Sequence, residues 1–204
     1  MGGIFLIIRR TKVHNLCTQI YNHELARLNG PFIALPKALA DQVTAPLTPT
    51  VRMESKSVML LILEQAAAPS IAELSQPELK LAGLRMNPAN NGPSRVQYIT
   101  GLKLKTLTDK DSKVISGLPA NPLISFVQWS PDDSKVAFAN STDNRMDLYV
   151  ADVATASAQK VGSIALNGTL GMPYRWLSDS KSLIVKAIPA NRGAAPEVSR
   201  VPSG

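Results

Sequence analysis

The sequence predicts an all-β fold: a partial β-propeller of about two to three blades of four-stranded antiparallel sheet, with short helical turns near the N-terminus. Three observations predict it. Short apolar or alternating runs follow one another, and the 15 prolines fall between those runs rather than inside them. Residues 121–164 hold four such runs separated by polar turns, the content of one blade. One strand–turn–strand pattern also recurs at a blade-sized interval of 47 residues, as "WSPDDSKVAF" and again as "WLSDSKSLIV".

Taken in order, residues 1–34 form a poorly specified N-terminal extension. Its apolar run, Ile4 to Ile8, precedes Arg9 and Arg10, the reverse of a secretory leader, and is too short to span a bilayer. Lys37 to Val43 predicts a short helix stopped by Pro46 and Pro49. Val58 to Glu64, "VMLLILE", has the length and composition of a buried strand. Pro69 and Pro77 fence a helical turn or loop. Two extended runs, Leu79 to Met86 and Arg95 to Leu107, flank "NPANNGPS" and predict a long-looped hairpin. Lys113 to Ser116 makes one more short strand before the "GLPANP" break. Then come "LISFVQW", "SKVAFA", "MDLYVADV" and "QKVGSI", the four strands of the clearest unit. The predicted blade-like units are therefore about 51–117, 121–164 and a partial 172–204, within an incomplete propeller domain of 35–204.

The repeat has a physical logic. Tyr174 to Lys186 matches Val127 to Ala139, with Trp176 on Trp129 and Asp179 on Asp132; Val51 to Leu63 is a worn third copy with Met53 in place of tryptophan. Pro131 presets φ for a tight turn, and Ser130 and Asp132 can bond neighbouring backbone amides. The tryptophans are suited to packing between neighbouring sheets. Asp132, Asp133 and Asp179 are turn residues, since their spacing lacks the alternating oxygen ligands of a calcium loop.

Several function classes are excluded. The net charge of +7 is spread along the chain, with no dense basic block and no basic run interleaved with aromatics. Nucleic acid is therefore not a partner, and neither is a membrane. Cys17 is the only cysteine and has no histidine–acid arrangement around it. His14 and His23 are the only histidines, and no Cys/His cluster exists. No metal and no cofactor is expected.

Longer stretches carry a family resemblance. "WSPDDSKVAFANSTDNRMDLYVADVAT" resembles the WSPDG-type repeat of TolB-like and peptidase-associated propellers, departing at Asp133, where that pattern most often has glycine. This departure demands a left-handed aspartate or a different turn. "QPELKLAGLRMNPANNGPSRVQYITGLKLK", "GLPANP" and "WLSDSKSLIVKAIPANRGAAP" resemble the N-terminal region of prolyl-oligopeptidase-family serine peptidases. The similar subgroup includes the glutamyl endopeptidases of bacteria and chloroplasts. It covers roughly Leu35 to Pro196 and leaves out residues 1–30.

The resemblance implies an N-terminal propeller that restricts access of peptide substrates to a Ser-Asp-His triad on a C-terminal α/β-hydrolase domain. It also implies a periplasmic or secreted location. The sequence itself holds no G-x-S-x-G elbow; Ser94 in "GPSRV" lacks the second glycine, and both histidines precede every candidate nucleophile. No catalytic residue is assigned, and the chain is read as a fragment that lacks the hydrolase domain and does not hydrolyse peptides alone. Arg85, Asn91 and Arg95, on or beside the long hairpin, are the candidate substrate contacts. The competing reading is a non-enzymatic TolB-like scaffold for protein interaction, because fold does not fix function.

An open propeller leaves strand edges unpaired, so the chain is expected to be marginally stable and to self-associate through those edges. Equilibrium unfolding at increasing protein concentration tests this. The midpoint is expected to move with concentration; a sharp, concentration-independent transition from a clean monomer counts against it.

Overall fold

A computed structural model describes residues 36–193. The expectations for the N-terminal extension, with Cys17, His14 and His23, lie outside the described residues, as do those for residues 194–204. The chain divides between residues 43 and 44 into two units. In the first, helix α1 (Lys37–Thr44) begins as Leu39 and Ala40 donate their amides to the Pro36 carbonyl. An ion pair one helical turn apart, Lys37 Nζ to Asp41 Oδ2 at 2.7 Å, lies along it.

The regular structure of the second unit is nearly all strand: β1 (Thr50–Met53), β2 (Met59–Gln65), β3 (Leu79–Leu81), β4 (Leu84–Asn87), β5 (Gly92–Pro93), β6 (Ile99–Thr106), β7 (Lys113–Val114), β8 (Ile124–Trp129), β9 (Lys135–Ser141), β10 (Met146–Asp152), β11 (Ser157–Ala165), β12 (Tyr174–Trp176) and β13 (Leu183–Val185). A single turn of helix, α2 (Ile71–Leu74), interrupts them. The strands follow the path β1-β2-β6-β8-β9-β10-β11, with β7 beside β6, and every pair is antiparallel. Strands β6 and β8 meet only at Ile99 and Ile124. The path is thus two four-stranded sheets, β1-β2-β6-β7 and β8-β9-β10-β11, hinged at one residue pair. Strands β12 and β13 make a third, two-stranded sheet. Among the described residues the path stays open, and the chain is an all-β, partial propeller-like fold.

Strand β9 shows why these sheets stack. Val136 to Ser141 are all buried, so both of its faces are covered. Because side chains alternate across a strand, Val136 and Phe138 face one cluster, with Leu61, Leu63, Leu102, Leu104, Ile124 and Val127. Ala137 and Ala139 face the other, with Met146, Leu148, Leu166, Tyr174 and Trp176. The small alanine face leaves room for the two large aromatics of β12. Trp129 lies partly buried against the first cluster.

Strand β8 carries a bulge. Phe126 and Val127 together oppose the single Phe138, and Phe126 adopts the left-handed conformation with φ 55°. At and just after the bulge three successive carbonyls accept from side chains of both neighbouring sheets. Tyr174 Oη donates to Phe126 O, Arg52 Nη1 to Val127 O at 2.5 Å, and Trp176 Nε1 to Gln128 O at 3.5 Å.

The recurring sequence is a recurring geometry. Met53 pairs with Leu60, Trp129 with Val136 and Trp176 with Leu183, the same separation each time. Each intervening turn has one left-handed residue: Ser57 (φ 58°), Asp133 (φ 62°) and Ser180 (φ 55°). Each also has the same two backbone bonds, Glu54 N to Met59 O and Ser57 N to Glu54 O, then Ser130 to Lys135 and Asp133 to Ser130, then Leu177 to Ser182 and Ser180 to Leu177. Asp132 Oδ1 accepts from Ser130 Oγ, Ser134 N and Ser134 Oγ, and those bonds hold its carboxyl well below the usual range. Asp179 accepts from Lys181 N, Ser182 N and Ser182 Oγ, which lowers it in the same way. Neighbouring turns touch. Ser55 donates its amide and its hydroxyl to Asp133, and Asp132 N donates to Ser180 Oγ at 3.1 Å.

One expectation is corrected. Leu79 to Met86 and Arg95 to Leu107 do not pair with each other. The first run folds on itself at Ala82 (φ 47°) and Gly83 (φ 84°), two positive φ values in succession, so β3 pairs with β4. Strand β5 joins β4, and β6 leaves to pair with β2.

Two substitutions check this account. Phe138→Ala removes a fully buried ring and is expected to cost about 3–5 kcal/mol in urea unfolding. Ser57 is exposed and its side chain makes no recorded bond among the described residues, so Ser57→Gly is expected to relieve the left-handed strain and raise stability by about 0.5–1 kcal/mol.

Candidate functional site

Between β2 and β6 the chain leaves the first sheet for residues 66–98. Ser70 starts α2 with a capping box: its hydroxyl accepts from Glu73 N at 3.2 Å, while Glu73 Oε1 accepts from Ser70 N at 2.9 Å. Helix α2, strand β5 and the approach to β6 enclose a cavity of about 370 Å³, lined among others by Pro69, Leu74, Gln76, Glu78, Arg95 and Tyr98. Asn87 Nδ2 donates to Gln76 Oε1 at 2.7 Å and fixes one wall.

Glu78 organises the polar side. Its Oε1 meets Arg85 Nη1 at 3.0 Å and Lys80 Nζ at 3.8 Å. Its Oε2 accepts from Ser94 Oγ at 2.6 Å and from Arg95 Nε at 3.1 Å. Backbone register explains the gathering. Lys80 and Arg85 are cross-strand partners in β3 and β4, and Ser94 N donates to Arg85 O at 3.2 Å. Arg95 then takes the left-handed conformation, φ 57°, and its side chain reaches back to Glu78. A non-glycine residue held there costs of order 1 kcal/mol, so its surroundings must fix it.

The hydrogen bond from Ser94 is the main cause that lowers the Glu78 carboxyl below its ordinary value; burial opposes this, and Arg95 and Arg85 reinforce it. Burial pushes the Tyr98 hydroxyl up, against a hydrogen bond with Ser141. Three cations meet one carboxylate. Arg95 spends only its Nε on Glu78, and its terminal nitrogens have no partner among the described residues. At the cavity lining Arg95 therefore offers free planar donors, which suit an incoming carboxylate, beside the two acids Glu73 and Glu78. The site does not suit nucleophilic catalysis. Ser94 gives its proton to a carboxylate too weakly basic to remove it, and no histidine stands by among the described residues. Among the described residues no group of three His, Cys, Asp or Glu could hold a metal, and no helix is long and apolar enough to cross a membrane.

Of the three residues singled out in the sequence, the structure brings Arg85 and Arg95 together around Glu78. Asn91 lies elsewhere: buried, with φ 55°, its carbonyl accepting from Gly168 N at 2.9 Å and Thr169 Oγ1 at 3.2 Å, and its Oδ1 accepting from Arg192 Nη1 at 2.6 Å. Glu78 and Ser94 were missed as parts of a site. The signal available was one acid in "QPELKL", placed among Lys80, Arg85 and Arg95.

Because the Glu78 carboxyl is lowered in the fold, its contribution to stability is full above the ordinary carboxylate range and fades as pH falls through the folded value. Glu78→Gln is therefore expected to lower the urea midpoint most at neutral pH, with the two proteins converging in acid. A pH-independent difference between them would contradict this assignment.

No family model matches the sequence. The chain is 34% identical over 182 residues to an Oryza sativa subsp. japonica protein named probable glutamyl endopeptidase, chloroplastic, and 34% identical over 181 residues to its Arabidopsis thaliana namesake. Both alignments cover 83% of this chain and 19% of the relative, so the chain spans about a fifth of the length of the curated relatives it matches. Solved structures of acylaminoacyl peptidases are more distant. The Pyrococcus horikoshii enzyme shares 19% identity at a TM-score of 0.37, covering 71% of this chain and 17% of its own. A complex with Z-Gly-Gly-Phe-chloromethyl ketone shares 18% at 0.37, covering 72% and 18%. Likeness of that size carries no weight for the site. By sequence, the chain is a relative of peptidases named as glutamyl endopeptidases, and matches them along one segment of their length.

Proposed function

We propose that this chain is the propeller-like segment of a prolyl-oligopeptidase-family serine peptidase, and that in the whole enzyme it controls which peptides reach a catalytic α/β-hydrolase domain. The observation that carries the reading is the 34% identity to the glutamyl endopeptidases over most of the chain. The site supports it. A cleft with apolar walls and the free guanidinium donors of Arg95 at its polar side matches a peptide with an acidic side chain, the substrate type named in the relatives. In this reading Arg95 and Arg85 meet the substrate carboxylate, Glu78 and Ser94 hold them in place, and Asn91 anchors the loop that carries them. Bond breaking belongs to the catalytic domain.

Binding and cleavage separate the parts of this proposal. Fluorescence anisotropy with a labelled glutamate-containing peptide and its glutamine counterpart is expected to show preference for the acidic one, weakening with salt. Arg95→Ala is expected to weaken that binding about tenfold, the worth of one charge-assisted hydrogen bond. No cleavage product is expected from the chain alone. Equal binding of both peptides, indifferent to Arg95, would overturn the substrate-contact role, and hydrolysis by the chain would overturn the division of labour.

A further inference from the structure

Two of the chain's three Asn-Gly sequences, Asn91-Gly92 and Asn167-Gly168, are distant in the chain and adjacent in the fold; the third, Asn29-Gly30, lies outside the described residues. Gly168 N donates to the Asn91 carbonyl at 2.9 Å, and Thr169 Oγ1 donates to the same oxygen at 3.2 Å. Both glycines press on one side chain. A Cβ at Gly92 would lie 3.0 Å from Met146 Sδ, and one at Gly168 would lie 3.0 Å from that sulfur and 3.2 Å from Phe126 Cε2. Met146 is fully buried, so it has little room to give way. Packing thus demands glycine after asparagine at both places. The missing side chain that meets this demand also leaves the glycine nitrogen unhindered beside the asparagine amide.

That arrangement has a known chemistry of its own. The glycine nitrogen can attack the asparagine Cγ, forming a C–N bond; the Cγ–Nδ2 bond breaks, and ammonia departs with the proton from the glycine nitrogen. Water then opens the resulting cyclic imide at either carbonyl, giving aspartate or, with one methylene added to the main chain, isoaspartate. No oxidant or enzyme is needed.

The fold blocks the first step at both sites. Gly92 N is committed to Asn90 Oδ1 at 2.9 Å, and Asn91 Oδ1 is held by Arg192 Nη1 at 2.6 Å. Gly168 N is committed to Asn91 O, while Asn167 Oδ1 accepts from Thr169 N at 3.1 Å. The two locks differ in kind. Those on Asn167 come from the chain around it and from Asn91, whereas the Asn91 amide depends on Arg192, an exposed residue beyond the last strand.

We propose that Asn91 is a conditional deamidation site, silent while Arg192 fixes the orientation of its amide and Asn90 holds Gly92 N, and converted when loss of the Arg192 contact lets this turn open. Isoaspartate at 91 would displace the carbonyl that holds Gly168 and Thr169, so the conversion would make a transient opening of this seam permanent.

Peptide mapping by mass spectrometry, with isoaspartate detection, after incubation at mildly alkaline pH tests the proposal against the urea-denatured chain. In the folded chain Asn91 is expected to convert far more slowly than in the denatured one. Arg192→Ala is expected to speed it about tenfold, the opening expected from loss of one charge-assisted hydrogen bond, and to speed Asn167 less. Conversion of folded Asn91 at the denatured rate, or no response to Arg192→Ala in a variant whose circular dichroism is intact, would overturn it. Should that variant unfold, wild-type chain in urea below its transition decides: conversion rising ahead of global unfolding supports the proposal, and conversion that follows only the global transition defeats it.

Discussion

The bulge in β8 is the constraint on which the rest of the second unit depends. Placing Phe126 and Val127 opposite a single residue breaks the ladder, and buried carbonyls without partners are costly. Here the carbonyls of the two bulged residues are met by Arg52 from the sheet before and by Tyr174 from the sheet after, and Trp176 reaches the next carbonyl along. One irregular strand therefore binds three sheets by polar contacts. The apolar clusters on either side of β9 supply most of the energy, but apolar contact is non-directional. The bulge fixes how the sheets are oriented.

Legibility followed the physics of each element. Residues 121–164 were readable because their strands alternate and their turns use Pro, Asp, Asn and Ser, whose backbone preferences are strong. Helix α1 was readable from its proline stops and α2 from its flanking prolines. The region 79–107 was misread because Ala82 occupies a left-handed turn position that alanine rarely takes, and no local signal marks it. The bulge at Phe126 was equally silent, since a bulky residue at positive φ is imposed by tertiary packing.

The site was half legible. Arg85 and Arg95 stood out as charges beside a turn-rich loop, but the only hint that Glu78 would gather them was its place as the one acid among Lys80, Arg85 and Arg95. That gathering depends on the β3–β4 register and on the left-handed turn at Arg95, both tertiary outcomes. Asn91 was singled out as a substrate contact beside the predicted hairpin, and the fold buries it at positive φ, where its carbonyl holds Gly168 and Thr169. The absence of a nucleophile elbow, by contrast, was readable at once, because that motif is contiguous.

The three left-handed turn residues carry a last consequence. Glycine would sit at Ser57, Asp133 or Ser180 without strain. At two of the three positions the side chain that replaces it reaches the preceding turn: Asp133 receives Ser55, and Ser180 receives the amide of Asp132. A left-handed non-glycine residue costs about 1–2 kcal/mol, least for aspartate, and hydrogen bonds to a charged group contribute about 1.5–3 kcal/mol each. At Asp133 the balance favours the bond. Each turn is thereby a rivet through the one before it, so the repeats are fastened rim to rim as well as face to face. A repeat array that took glycine at these corners would turn more easily at each of them and lose the seam between them.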